Sequence, residues 1–117
     1  MIGTALTEKG ERMNSKRKGA VGEREIAAYL REHGCDSRRG QQYKGGPDSP
    51  DVTGLDGYHI EVKRVERLNI DDALNQAIRD KGKDETPVVF HRRNRMPWKA
   101  TLLLDDFMRL VKHGKTD

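Results

Sequence analysis

The stretch best suited to chemistry is Pro50-Asp51 followed by Glu61-Val62-Lys63. Side chains alternate along a strand, so His59, Glu61, Lys63 and Val65 share one face, while Ile60 and Val62 point to the other, which should be the core. The turn decides where Asp51 falls. A two-residue loop at Asp56-Gly57 would pair Asp51 with Val62, on the wrong face. A three-residue loop, Leu55-Asp56-Gly57, pairs Gly54 with Tyr58 and Asp51 with Glu61. That loop class needs a left-handed glycine at its third position, and Gly57 supplies one. The spacing therefore predicts that Asp51 and Glu61 lie directly opposite each other. Like charges so placed destabilise a sheet by a few tenths to about 1 kcal/mol. A divalent cation, Mg²⁺ or Mn²⁺ in its place, would remove the conflict, because such ions are held by one or two carboxylates together with water and substrate phosphate. The carbonyl of Val62 is a further candidate ligand. Lys63 would then sit beside a scissile phosphate, placed to stabilise the attacking hydroxide and the negative charge growing on phosphorus. On this motif alone a plainer reading stays open: Asp51 as a turn residue, and Glu61 with Lys63 as an exposed charge pair.

Glu23 adds weight to the first reading. At 100° per residue it projects between Ile26 and Ala27 and nearly in line with Leu30. A carboxylate centred on an apolar stripe is costly to bury unless something pairs with it. A metal ion or a catalytic lysine would do so; the alternative is a first-turn acid that complements the helix dipole. His59 shares the face of Glu61 and could touch substrate, although a lone histidine there reads more simply as a solvated strand residue. His33 and Cys35 lack partners at ligand spacing and make no metal site.

The elements that must position these residues come from one small domain. The chain has 117 residues, with 33% apolar and 36% charged side chains, which suits a modest core under a charged surface. Lys and Arg outnumber Asp and Glu by 23 to 19, a formal net charge of +4. The excess falls in clusters: Lys16-Arg17-Lys18, Arg38-Arg39, Lys63-Arg64 and Arg92-Arg93-Asn94-Arg95. Any one of these could be a solvated face, but four together, one overlapping the acidic motif, point to a phosphate backbone. Few aromatic residues argue against a stacking platform for single strands. Cys35 is the only cysteine, so a Cys-rich zinc site is excluded. With no apolar run of membrane-spanning length and no signal-peptide core, the chain reads as soluble and intracellular, with no membrane partner.

Residues 1–15 are polar without periodicity and read as a mobile arm before a single domain over 16–117; Met13 could be an alternative start. Helical spacing begins near Gly19 and stops at Gly34. A short strand over Cys35 to Gln42 is followed by a loop from Lys44 to Ser49. The hairpin of Val52 and Tyr58–Val65 follows. A helix then starts at Asn69 as N-cap, with Asp72 three residues on, and carries Ile70, Leu74, Ala77 and Ile78 on its apolar stripe. Val88–Phe90 and Trp98–Leu104 read as paired strands, and Asp105 as the cap of a last helix. The expected architecture is α/β, in the order α-β-β-β-α-β-β-α, with a mixed central sheet of about five strands flanked by helices.

The run Lys16-Arg17-Lys18-Gly19-Ala20-Val21-Gly22-Glu23-Arg24-Glu25, then Pro50-Asp51, then Glu61-Val62-Lys63, resembles the archaeal-type Holliday-junction resolvases and their small phage relatives, within the PD-(D/E)XK nucleases. The resemblance covers roughly residues 16–80, with the tail from Pro87 to Val111 similar only in outline. It implies a restriction-endonuclease-like core and a homodimer with two metal-dependent sites, each nicking one strand of a four-way DNA junction in a bacterial, archaeal or phage-infected cell. By position, Glu23 corresponds to the family's helix glutamate, Asp51 and Glu61 to its metal carboxylates, and Lys63 to its catalytic lysine. Arg17 and Lys18 correspond to a basic arm that touches DNA. Gln76 resembles a glutamine that follows the strand of Glu61 and Lys63 in many relatives. The stretch between Asp51 and Glu61 is shorter than usual for junction enzymes. Two other functions stay open at this level: a repair or restriction-like nuclease acting on linear duplex, and a non-catalytic nucleic-acid-binding module on the same scaffold.

Overall fold

The computed structural model describes residues 3–40 and 49–114, with side chains described from residue 17 onward. Three helices and three strands follow in the order α1 (Gly3–Glu32), β1 (Tyr58–Arg64), α2 (Ile70–Asp80), β2 (Thr86–Arg92), β3 (Lys99–Thr101) and α3 (Leu104–Gly114) among these residues. Among these residues no helix is long and apolar enough to cross a membrane.

Helix α1 begins at Gly3 rather than near Gly19, so its first half runs through the segment expected to be an irregular arm. That segment has no apolar periodicity, but it holds several Glu, Lys and Arg residues and no proline. Once a helix is nucleated downstream, good helix formers extend it at little cost. Its C-terminus stops as expected at Gly34, whose φ is +90°, while the amides of Gly34 and Cys35 donate back to the carbonyls of Arg31 and Leu30 at 3.0 and 2.9 Å.

Strands β1 and β2 are parallel, with Tyr58 opposite Thr86 and Arg64 opposite Arg92. Strand β3 is antiparallel to β2, and the sheet order is β1-β2-β3. A parallel pair needs a crossover connection, and α2 provides it. Asn69 caps α2 as expected, accepting a hydrogen bond from the Asp72 amide at 3.1 Å.

Among the described residues the sheet has three strands rather than the expected total of about five. The strand expected over Cys35 to Gln42 is reduced to a single bridge at Arg39; Gln41 and Gln42, like most of the 44–49 loop, lie outside the described residues. The first hairpin arm is likewise one bridging residue, Val52, joined to Arg39 on one side and Ile60 on the other. The ladder stops there for a local reason. Pro50 has no N–H to offer, and the Val62 N–H goes to the Asp51 carboxylate at 2.8 Å instead of a strand carbonyl.

Both faces of the sheet are covered. Ile26, Ala27 and Leu30 of α1 pack on Val52, Ile60, Val62 and Val88. On the other side Ala73 and Ala77 of α2 pack on Val89, with Leu68, Ile70 and Leu74 around them. The face carrying His59, Glu61 and Lys63, expected to be solvated, therefore lies under α2, as befits a parallel pair. Helix α3 begins at Leu104, one residue before the expected cap Asp105. It buries Asp106, which pairs with Arg109, and leaves Leu104, Phe107, Met108 and Leu110 largely exposed.

Gly22 sets how closely α1 approaches β1. A Cβ there would lie 3.0 Å from the Arg64 Cβ and 3.4 Å from Val62 Cγ1, whereas at Gly19 it would meet nothing within 4 Å. Two changes on one helix should thus have opposite signs. Gly22→Val should lower the unfolding free energy by about 1–3 kcal/mol through overpacking, and Gly19→Ala should raise it by about 0.5–1 kcal/mol. Denaturant titration reads both, and a stable Gly22→Val protein would show that the helix–strand contact is looser than described.

Candidate active site

The Val52–Ile60 bridge fixes the register in which Asp51 falls opposite Glu61. The turn has the anticipated form: Gly57 adopts φ +85°, and the Tyr58 amide donates to the Leu55 carbonyl at 3.1 Å. Asp51 is held from two directions. Its amide donates to the Ile60 carbonyl at 2.9 Å, and its Oδ2 accepts from the Val62 amide at 2.8 Å.

Glu61 is only 2% exposed, and its carboxyl shares a hydrogen bond with that of Asp51. Burial, then the charge of Asp51 and that shared bond, push its pKa up to about 8, with Lys63 opposing and Asp80 adding to the rise. The two carboxyls thus disfavour a second negative charge between them. Glu23 reaches the same place from α1. It is 8% exposed, its Oε1 accepts from Arg39 Nε at 3.0 Å, and burial raises its pKa, with Arg39 opposing and Asp51 contributing repulsion. Lys63 Nζ donates to Gln76 Oε1 at 3.3 Å, which orients both side chains over the α2 face.

Glu23, Asp51, Glu61, Lys63 and Gln76 are therefore drawn into one neighbourhood. The basic residues divide. Arg39 joins the cluster through Glu23. Arg38 pairs with Asp36 at 3.3 Å. Arg64 and Arg92 both meet Glu25, at 3.5 and 3.3 Å, and Arg92 also stacks 5.6 Å from the Trp98 ring, so these two tie α1 to the sheet. Arg17, Arg93 and Arg95 are exposed and Lys18 is half-buried; the side chain of Lys16 lies outside the described residues.

Two neighbours were not assigned to the site from the sequence, one of them, His59, weighed only as a residue that could touch substrate. His59, expected to be solvated, is 1% exposed, and its Nε2 lies 2.9 Å from Glu61 Oε1. Asp80 stands close to the same pair. A signal for Asp80 existed: Ala73, Gln76, Ala77 and Asp80 fall at the 3–4 spacing of one helix face. The arrangement as a whole gathers carboxylates and an imidazole that suit a divalent cation beside a lysine that suits a phosphate.

Residues 14–82 match the family model described as archaeal Holliday junction resolvase (Hjc). No curated protein and no solved structure matches the chain.

The raised Glu61 carboxyl has a thermodynamic consequence. A carboxyl whose pKa is about 8 when folded and near 4.3 when unfolded holds more protons in the folded state. Its contribution to stability without a divalent cation should therefore be fully present below the unfolded value and be lost as pH rises toward about 8. Glu61→Gln, which stays neutral, should flatten that decline and raise the melting temperature at pH 8 by about 4 °C or more. Melting curves in EDTA from pH 5 to 8.5 measure it; parallel profiles for both proteins would refute the buried acid pair.

Proposed function

The chain belongs to the archaeal Holliday junction resolvase family, whose match covers more than half of its 117 residues, and from that premise we propose that it is a metal-dependent endonuclease cutting four-way DNA junctions. The reading includes a restriction-endonuclease-like core within residues 16–117 and a homodimer whose two sites each nick one strand by phosphodiester hydrolysis. The observation that carries it is the pairing of Asp51 with Glu61 on the strand that also bears Lys63.

The donor set fits a hard divalent cation such as Mg²⁺, with Mn²⁺ as a substitute. Two adjoining carboxyls repel each other here, and a cation between them would offset that repulsion. Asp51 and Glu61 would hold it, with the Val62 carbonyl and Glu23 as further oxygen donors. When bound, such an ion supplies Lewis acidity toward water and phosphate. The protein does the rest. The Val62 amide fixes the Asp51 carboxylate, so its oxygens are preorganised. Gln76 steadies Lys63, whose ammonium neutralises charge on the phosphate as it reacts. Arg39 keeps the Glu23 carboxylate in place beside Asp51. The exposed Arg17, Arg38, Arg93 and Arg95, with Lys16 and Lys18, would contact the DNA backbone, and such contacts position a duplex without reading its sequence. Arg64 and Arg92 would add positive potential from their bridges to Glu25.

A cleavage assay with labelled four-way junction, linear duplex and single strand tests this directly. In Mg²⁺ the wild-type protein should give paired nicks on the junction, and EDTA should abolish them. Asp51→Asn and Lys63→Ala should each slow cleavage by about 100-fold or more. Equal cutting of linear duplex would redirect the reading to a repair or restriction-like nuclease, and cleavage undiminished in both variants would remove the proposed site altogether.

A further inference from the structure

We infer that Glu61 is shared between two cation positions, and that the second, completed by His59 and Asp80 on the α2 side of the sheet, takes a transition ion such as Mn²⁺ in preference to Mg²⁺. The inference rests on the metal-dependent reading above for the role of Asp51, but its second site is built from other residues.

Three features support it. The first is spacing. One ligand atom each from His59, Glu61 and Asp80 lie within 4.8 Å of one another, and His59 Nε2 stands 2.9 Å from Glu61 Oε1. Ligands on one ion at about 2.1 Å sit about 3 Å apart when adjacent and about 4.2 Å apart when opposed. The His59–Glu61 separation is thus already that of adjacent ligands on one ion, and the Asp80 oxygen lies within 4.8 Å of both.

The second is charge. Asp51, Glu61 and Asp80 crowd together, and Glu85 faces the other nitrogen of His59 at 3.8 Å. Lys63 offsets part of this charge at Glu61, but its Nζ donates to Gln76 at 3.3 Å, and Lys81 Nζ donates to the Gly82 carbonyl at 3.3 Å. Buried carboxylates are costly without a compensating positive charge, and a cation between His59 and Asp80 would supply it.

The third is ligand type. His59 and Glu61 are rigid strand residues at i and i+2, both buried, while Asp80 closes the last turn of α2. An imidazole among carboxylates favours Mn²⁺, Zn²⁺ or their neighbours over Mg²⁺, which prefers oxygen and its own waters. The Asp51–Glu61 position, with oxygen donors only, has no such preference. The Glu85 carboxylate, 3.8 Å from Nδ1, is too far to hydrogen-bond the ring as it stands but adds negative charge behind it.

The test uses the full chain, freed of metal, titrated with Mn²⁺ and followed by electron paramagnetic resonance. The expected result is two Mn²⁺ per chain, of which excess Mg²⁺ displaces one. The Mn²⁺ that remains should show the nitrogen coupling of an imidazole ligand in pulsed spectra. His59→Gln keeps a hydrogen-bonding group beside Glu61 but is a poor ligand. It should weaken the Mg²⁺-resistant ion at least about tenfold and erase the nitrogen signal, as should His59→Ala. Asp80→Asn should weaken the same ion, whereas Asp51→Asn should remove the Mg²⁺-displaceable one. A wild-type protein that binds one Mn²⁺, or two that Mg²⁺ displaces alike, overturns the inference, as does an undiminished nitrogen signal in His59→Gln. A protein that binds both ions as described but cuts no DNA would retire the nuclease reading and leave this one standing.

Discussion

Two carboxyl groups forced together at the edge of a small sheet organise this protein. Asp51 and Glu61 sit opposite each other because the Leu55–Gly57 turn and the Val52–Ile60 bridge allow no other register. Opposed acids weaken a sheet, and burial makes the conflict worse by removing water. The surroundings contain it in three ways. The Val62 amide takes one Asp51 oxygen, His59 lies against one Glu61 oxygen, and the Glu61 pKa is raised toward the neutral acid. Each device leaves the carboxylates where a cation could use them, which is how local instability becomes a preorganised site.

Because β1 pairs in parallel with β2, helices cover both its faces, and they contribute differently. Helix α1 brings apolar residues against Ile60 and Val62, with Glu23 at the rim, where it feels Asp51 and is steadied by Arg39. Helix α2 brings Gln76 to Lys63 and Asp80 toward Glu61. Its small Ala73 and Ala77 let it lie close to Val89, so short acidic and amide side chains on the same helix face can reach the strand. Gly22 does the corresponding work for α1, since any side chain there would push the helix from β1. The polar cluster is thus spaced by small residues that themselves do no chemistry.

Much of this was legible from local rules. The register of Asp51 against Glu61 followed from a turn that needs a left-handed glycine, and the start of α2 from the capping side chain of Asn69. The burial of Glu23 followed from its place on an apolar stripe. What local rules missed depends on long-range pairing. A period-two pattern over 59–65 suggested one solvated face, but His59 and Glu61 are buried because residues 86–92 run parallel to β1 and demand a crossover helix above it. Strand count was overestimated because a hydrogen bond from a backbone amide to a side chain, Val62 to Asp51, displaces ladder pairing without leaving a pattern in the sequence. The early start of α1 was missed because helix propensity without amphipathicity gives no periodic signal. Arg64 and Arg92 looked like phosphate contacts; that Glu25 gathers both depends on the spatial meeting of three distant segments.

The family match ends at residue 82, just before β2, although β2 is the central strand on which both layers rest. The two facts are compatible once the demands on each part are separated. On the proposed reading, residues 14–82 place particular functional groups: a carboxylate on α1, two more across a tight turn, a lysine beyond them and an amide on α2. Few sequences meet such requirements, so the signature is recognisable. Strand β2 has only to present a backbone ladder to β1 and fill space with Val88 on one side and Val89 on the other. Backbone hydrogen bonds are indifferent to side-chain identity, and a core tolerates many apolar residues of about the right volume. The most structurally central strand can therefore be the one whose sequence carries least information about the family.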